Sequence, residues 1–153
     1  MHRLRYWFPA ICVALLISAF STHYFSAAQT GQFIIPILHW IFPSAGLRPL
    51  RVMDMVVRTL AHVTEFGVFS IAVFHGIRAE RHGWKLSWAG GTLIVALVFA
   101  GLDEWHQLYV PLREARVRDV AMDVSGALLA QLLVWTYSRF HKPSRDPATS
   151  RSA

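Results

Sequence analysis

The chain has 153 residues, of which 54% are apolar and only 16% charged, with a mean hydropathy of +0.38. That length suits one domain, and the gathering of apolar residues into blocks excludes an ordinary soluble one. The net charge of +6 is spread over every loop and both tails, with no basic stripe interleaved with aromatics, so it excludes a nucleic-acid-binding class. Cys12 is the one cysteine, which rules out a disulfide within the chain and a metal site built on several thiolates.

Four apolar blocks follow one another: Tyr6 to Phe25, Asp54 to Ile77, Trp84 to Leu102 and Val120 to Tyr137. Each is near the roughly 20 residues that a helix needs to cross hydrocarbon. Strict period-2 alternation is absent, which argues against a membrane β-barrel. The predicted fold is therefore all-α, an integral membrane bundle of four transmembrane helices over residues 1–140, with a disordered polar tail over 141–153. The first block has a second reading. Arg3 and Arg5, the apolar run Trp7 to Phe20 and then Ser26-Ala27-Ala28 fit a cleaved signal peptide. The apolar stretch continues through Tyr24 and Phe25 toward spanning length, which favours a retained helix.

Between the first two blocks, the apolar run Phe33 to Phe42 is too short to cross and contains Pro36. It predicts a short interfacial helical segment, with Trp40 and Phe42 at headgroup level. Such a segment serves either as a membrane-surface cap or as a lid over a cavity. With a cytoplasmic N-terminus, nine of the fifteen Lys and Arg residues fall on the inner side, so both termini are expected in the cytoplasm.

Three polar clusters interrupt these blocks, and this topology puts all three toward the outer side. Arg58, His62 and Glu65 stand at i, i+4 and i+7 and so share one helical face. A helix entering at Asp54 places Glu65 about 16 Å along it, near the bilayer midplane. A charge there costs about 2.5–3.5 kcal/mol on the lenient insertion scale, so it should face a protein interior or a watery cavity.

The second cluster ends the third block. Asp103, His106 and Gln107 are spaced to share a face, and Glu104 is expected to point elsewhere, toward headgroups. Pro111 stops that helix. The third cluster opens the last block. Asp119, Asp123 and Gly126 fall at i, i+4 and i+7. Asp119 suits a helix N-terminus, Asp123 needs a partner, and Gly126 permits a close helix approach. Arg113, Arg116 and Arg118 just ahead can pair with carboxylates or with an anionic head group.

The order His62-x-x-Glu65-Phe66, then Asp103-Glu104-x-His106-Gln107, then Pro111, an Arg-rich loop and Asp119-Val120-x-x-Asp123-x-x-Gly126-Ala127 resembles the VanZ-like family. The Phe20-Ser21-Thr22 and Phe25-Ser26-Ala27 runs are similar to one branch of it. The resemblance extends from about Ile17 to Leu133. The loop Leu112-Arg113-Glu114-Ala115 departs from the Gly- and Ser-containing loop common in the family. The resemblance implies a small multi-spanning protein of the bacterial cytoplasmic membrane acting on the cell envelope, with low-level resistance to teicoplanin-type glycopeptides as its context. It implies no reaction.

Several uses of the clusters stay open at this level. Arg58–Glu65 and an Arg–Asp119 pair would be structural ion pairs. His62, Glu65, Asp103, His106 and Asp123 are all competent ligands for a divalent metal, although no short metal signature is present. The same five are candidates for acid–base catalysis, with His62 as base and Glu65 or Asp123 as its orienter. Proton- or ion-coupled transport is a further use, weakened by the absence of an internal repeat. A binding role would use Arg58, Gln107, Arg113, Arg116, Arg118 and Asp119. The expected partner is a membrane lipid or a lipid-linked envelope precursor, with the oligomeric state left open.

Overall fold

The computed structural model describes residues 4–111, 113 and 115–141. Leu112 and Glu114 of the divergent loop, and the polar tail over 142–153, lie outside the described residues. Every regular element among the described residues is helical: α1 (Leu4–Phe20), a 3-10 turn (His23–Phe25), α2 (Ala27–Ile41), α3 (Leu47–Arg78), α4 (Leu86–Gln107) and α5 (Val117–Phe140).

The helices α3, α4 and α5 are each long and apolar enough to cross a membrane. The chain from α1 into α2 bends by 72°, and the pair counts as a fourth span if it is one broken crossing. The expected first span, Tyr6 to Phe25, thus ends earlier, at Phe20. The cause lies in the polar residues that follow. Ser21 turns its hydroxyl to Asp103, and Ser26 starts α2 by accepting from the Gln29 N–H. The segment expected from Phe33 to Phe42 is part of a longer helix, α2, which runs through Pro36. At 32 residues α3 is also longer than its apolar block and starts seven residues before Asp54, at Leu47. Its length of about 48 Å exceeds the hydrocarbon thickness of about 30 Å, so it projects beyond the core or tilts within it.

The long α3 is the axis of the bundle, packing against α5, α1, α4 and α2, while α4 also packs on α5. The core joins aromatic rings, mostly of α3, to small residues of α4 and α5. Phe66, Phe69 and the α4 residue Phe99 form one ring cluster, with Phe69 and Phe99 centroids 4.8 Å apart. Ala96 and Ala100 on α4, and Ala127 on α5, are fully buried beside it. Small residues at helical spacing let the backbones approach where the hydrophobic effect gives no drive between helices. Gly126 carries this furthest, because a Cβ there would lie 2.2 Å from the Val63 carbonyl oxygen of α3.

The outside of the bundle is as apolar as its inside. Ile94, Leu97 and Val98 on α4, and Leu128, Leu129, Leu132 and Leu133 on α5, are all exposed. An aqueous domain of this size would not present such continuous leucine faces. They suit contact with acyl chains. A multi-pass membrane protein is the physical reading of that surface.

A second polar device lies midway along the α3–α5 seam. The Ser70 hydroxyl donates to the Ala127 carbonyl, and the Gln131 amide donates to the Ser70 hydroxyl at 2.9 Å. At the end of the bundle formed by the start of α1, the end of α3 and the start of α4, Arg5 pairs with Glu80, and Arg81 and Lys85 lie over the Trp88 ring. The three polar clusters are at the other end.

Candidate functional site

The face read on α3 opens onto a real hollow. Arg58, His62 and Glu65 line one cavity of about 220 Å³, walled mostly by apolar side chains of α1, α2 and α3. Asp103 from α4 and Arg113 from the following loop line it as well. A second cavity of about 550 Å³ adjoins it, lined by Arg58, His62, Gln107, Arg113, Arg116, Arg118 and Asp119. Three side chains, Arg58, His62 and Arg113, border both. The two compartments differ in character. Among the described residues, the smaller is an apolar chamber holding two carboxylates, and the larger is a vestibule with four guanidinium groups and one carboxylate.

His62 and Asp123 form the central contact. The imidazole Nδ1 lies 2.9 Å from Asp123 Oδ1, across the α3–α5 seam. An ionised carboxylate only accepts, so Nδ1 carries the hydrogen and donates it. In a neutral ring this leaves Nε2 as a lone pair. Asp123 has no exposure, and its second oxygen, Oδ2, is buried with no hydrogen-bond partner among the described residues. The orienter of His62 is therefore Asp123 rather than Glu65. Packing explains why: Gly126, three residues after Asp123, removes the side chain that would hold the two helices apart.

Glu65 accepts no hydrogen bond from the described residues, and Arg58 is not its ion-pair partner. The Arg58 guanidinium instead donates to the Thr30 hydroxyl of α2 at 2.8 Å. Asp103 is buried and accepts at Oδ2 from both Ser21 and Gln107, each at 2.8 Å. Both bonds fall on one oxygen, which leaves Oδ1 for the chamber that the residue lines.

Two expectations on α4 are corrected. Glu104 does not face headgroups but is 7% exposed, and its Oε2 accepts from the Arg116 N–H at 2.6 Å. It thereby fixes the residue that starts α5. His106 is exposed and lines neither cavity. The buried face of α4 runs through Ala100, Asp103, Glu104 and Gln107. At roughly 100° per residue, His106 falls about 110° from the centre of that face. Spacing of i, i+3 placed it beside Asp103, but the packed face turned the other way.

The remaining cations divide by role. Arg113 reaches the α1–α2 corner, donating from Nη2 to the Phe20 and Phe25 carbonyls and from Nε and Nη2 to that of Thr22. The Phe20 carbonyl is one that the end of α1 leaves unsatisfied, whereas that of Thr22 also accepts the Phe25 N–H. Burial, and next the charge of Arg58, draw the Arg113 pKa below its ordinary value. An anion beside it would relieve both effects. Arg116 and Arg118 are exposed at the vestibule, and Asp119 sits in the first turn of α5 without a side-chain cap to it. The sequence reading missed Ser21, Thr30 and the capping role of Arg113. The Phe20-Ser21-Thr22 run marked the place but gave no hint of its partners, which lie more than 80 residues away.

Among the described residues no three His, Cys, Asp or Glu side chains gather as a metal-ligand group. The five-residue donor set His62, Glu65, Asp103, His106 and Asp123 does not converge. His106 lies apart, Asp103 is tied to Ser21 and Gln107, and His62 turns Nδ1 to Asp123.

No match is found among curated proteins or among solved structures. A family model described as VanZ/LLP1 matches residues 5–138, nearly the whole chain and all of the residues that build both cavities, so the chain belongs to the VanZ/LLP1 family.

Proposed function

We propose that this VanZ-family membrane protein binds the anionic head group of an amphiphile at the outer face of the cytoplasmic membrane, and through it acts on the cell envelope. The observation that carries this reading is the vestibule of about 550 Å³ lined by Arg58, Arg113, Arg116 and Arg118, which shares Arg58, His62 and Arg113 with the wall of an apolar chamber. Guanidinium groups hold phosphate and carboxylate by charge-assisted, often bidentate hydrogen bonds. An apolar chamber next to such a vestibule suits a molecule with one charged and one hydrocarbon end. The distribution of basic residues supports the outward orientation: nine of fifteen flank the opposite end in sequence. Resistance to teicoplanin-type glycopeptides is the envelope phenotype that family membership suggests.

Purified protein in detergent, mixed with phosphatidylglycerol and phosphatidylcholine, should retain the anionic lipid preferentially. Arg58→Gln and Arg118→Gln should lower that retention. Arg113 is a poorer choice, since its loss also uncaps α1. Equal retention of both lipids by the wild-type protein would refute the reading. Glycopeptide tolerance on expression of wild type against Glu65→Gln tests the envelope role.

One observation favours a second reading, an acid–base enzyme acting on a lipid-linked substrate. The His62–Asp123 contact at 2.9 Å fixes the tautomer of a side chain that borders both cavities. Binding alone has no need of that arrangement.

A further inference from the structure

The chamber and the vestibule meet at His62, and the chemistry on either side of it differs. Among the described residues, the vestibule side carries Arg58, Arg113, Arg116 and Arg118, with Asp119 as the carboxylate. Arg58, Arg113 and Arg118 alone outnumber that carboxylate, and such an excess of positive charge matches a dianion better than a monoanion. On the chamber side, apolar walls from Ile17, Phe20, Phe25, Ile34 and Phe66 surround Glu65. Glu65 stands one turn along α3 from His62 and accepts no hydrogen bond from the described residues. An amphiphile with its phosphate in the vestibule and its chain in the chamber would place the bond joining them at His62.

We infer that the protein hydrolyses a phosphomonoester of a long-chain alcohol, with His62 Nε2 as nucleophile and Glu65 as the proton carrier. This deepens, and rests on, the amphiphile-binding reading above. In the first step the Nε2 lone pair forms a bond to phosphorus and the phosphorus–oxygen ester bond breaks. The electron pair leaves with the alcohol oxygen, which takes the proton of the Glu65 carboxyl. In the second step the Glu65 carboxylate takes a proton from water, whose oxygen attacks phosphorus. The nitrogen–phosphorus bond breaks, its pair returns to Nε2, and inorganic phosphate leaves. Ester and water thus give alcohol and phosphate. The arginines hold the equatorial oxygens, where charge spreads in such transfers. Asp123 touches no reacting atom. It is a positioning residue, holding Nδ1–H so that Nε2 is the free nitrogen throughout.

A purely structural role for the His62–Asp123 bond is the competing account. The α3–α5 seam already has a polar clasp in Ser70 and Gln131, which lines neither cavity. A second clasp, on a histidine that lines two cavities, is more than packing requires.

Detergent-purified full-length protein should be assayed with a polyprenyl monophosphate and with lysophosphatidic acid, reading inorganic phosphate release and probe binding separately. Wild type should bind and hydrolyse at least one probe. Both His62→Gln and Glu65→Gln should slow release by at least about 100-fold, the scale of lost acid–base catalysis, while still binding the probe. With a radiolabelled phosphate group, Glu65→Gln should accumulate an acid-labile, base-stable label on His62. Asp123→Asn should lower kcat with little change in KM, which a merely structural role would not do. Wild-type protein that binds the probes yet releases no phosphate overturns the hydrolase and leaves the binding reading standing. Failure to bind either probe overturns both.

Discussion

The seam between α3 and α5 carries two polar contacts a few turns apart, and they differ in what each leaves over. In the closed one, Ser70 and Gln131 are buried and bond each other, Ser70 also bonds the Ala127 carbonyl, and neither residue lines either of the two cavities. In the open one, His62 bonds Asp123 through one nitrogen only and borders two cavities with the rest of its ring. Polar groups in a spanning bundle are costly in either place. The closed pair answers that cost in part: the Ser70 hydroxyl and the Gln131 amide nitrogen are satisfied, and Gln131 Oε1, with no partner among the described residues, faces neither cavity. The open set of His62, Glu65 and Asp103 keeps acceptor capacity directed at empty space, which is what a ligand or substrate would use. Depth in the membrane does not separate structural from functional polarity here; unspent hydrogen-bonding capacity facing a hollow does.

Gly126 underlies both contacts, so its loss should have the largest effect. A Cβ at that position would meet backbone of Val63, with the nearest atom at 2.2 Å, and backbone cannot swing aside as a side chain does. Gly126→Ala should cost on the order of 3 kcal/mol or prevent folding. Gly67→Ala, one turn away on α3, would meet its nearest atom at an ordinary 3.5 Å and should be nearly neutral. Thermal unfolding in detergent compares the two. Equal stability of both variants would mean that α3 and α5 do not touch as described.

The two contacts themselves come next. Asp123→Ala leaves the His62 Nδ1–H without its acceptor and should cost about 1–3 kcal/mol. Ser70→Ala removes one hydroxyl from the closed pair and should cost nearer 0.6 kcal/mol, the average for such bonds between membrane helices. Asp123→Asn keeps an acceptor oxygen and should recover most of the stability. If it recovers function as well, the carboxylate charge is irrelevant and the open contact is only another clasp.

The fold was legible because its signals are local. Block length and hydropathy marked α3, α4 and α5, and the run of polar residues at helical spacing marked the α3 face. Gly126 was readable too, since a glycine following Asp123 at i+3 serves no local purpose in an apolar helix. What the sequence could not show was rotation and distant pairing. His106 and Glu104 were assigned to the wrong faces because spacing fixes their relation to Asp103 but not which side of α4 packs inward. The α1–α2 corner was hidden for another reason. Ser21 bonds Asp103 and Arg113 bonds the carbonyls of Phe20, Thr22 and Phe25, all across separations that periodicity does not reach.

That corner offers a smaller test. Arg113→Lys keeps the charge near the vestibule but loses the fork that joins three carbonyls. It should lower stability by about 1 kcal/mol and speed protease cleavage between Ser21 and Phe25, while anionic lipid retention falls only slightly. A large fall in retention with an intact corner would move Arg113 from a capping role to a ligand contact.

Glu65 should show the smallest effect on stability and the clearest on activity. Its carboxylate accepts no hydrogen bond from the described residues, so replacing one oxygen by an amide removes no contact that holds the bundle together. Glu65→Gln should stay within about 0.5 kcal/mol of wild type, as substitutions away from packing and hydrogen-bond networks do. His106→Ala, on the exposed side of α4, should be equally mild. The two part company in function. Glu65→Gln should abolish whatever tolerance or turnover the protein confers, because it alters the one carboxylate in the chamber with no bond to another described residue. His106→Ala should leave function intact. If Glu65→Gln instead destabilises by 2 kcal/mol or more, on the scale of a broken buried network, the carboxylate belongs with Ser70 and Gln131 as a structural group. The contrast between closed and open contacts along the seam would then collapse.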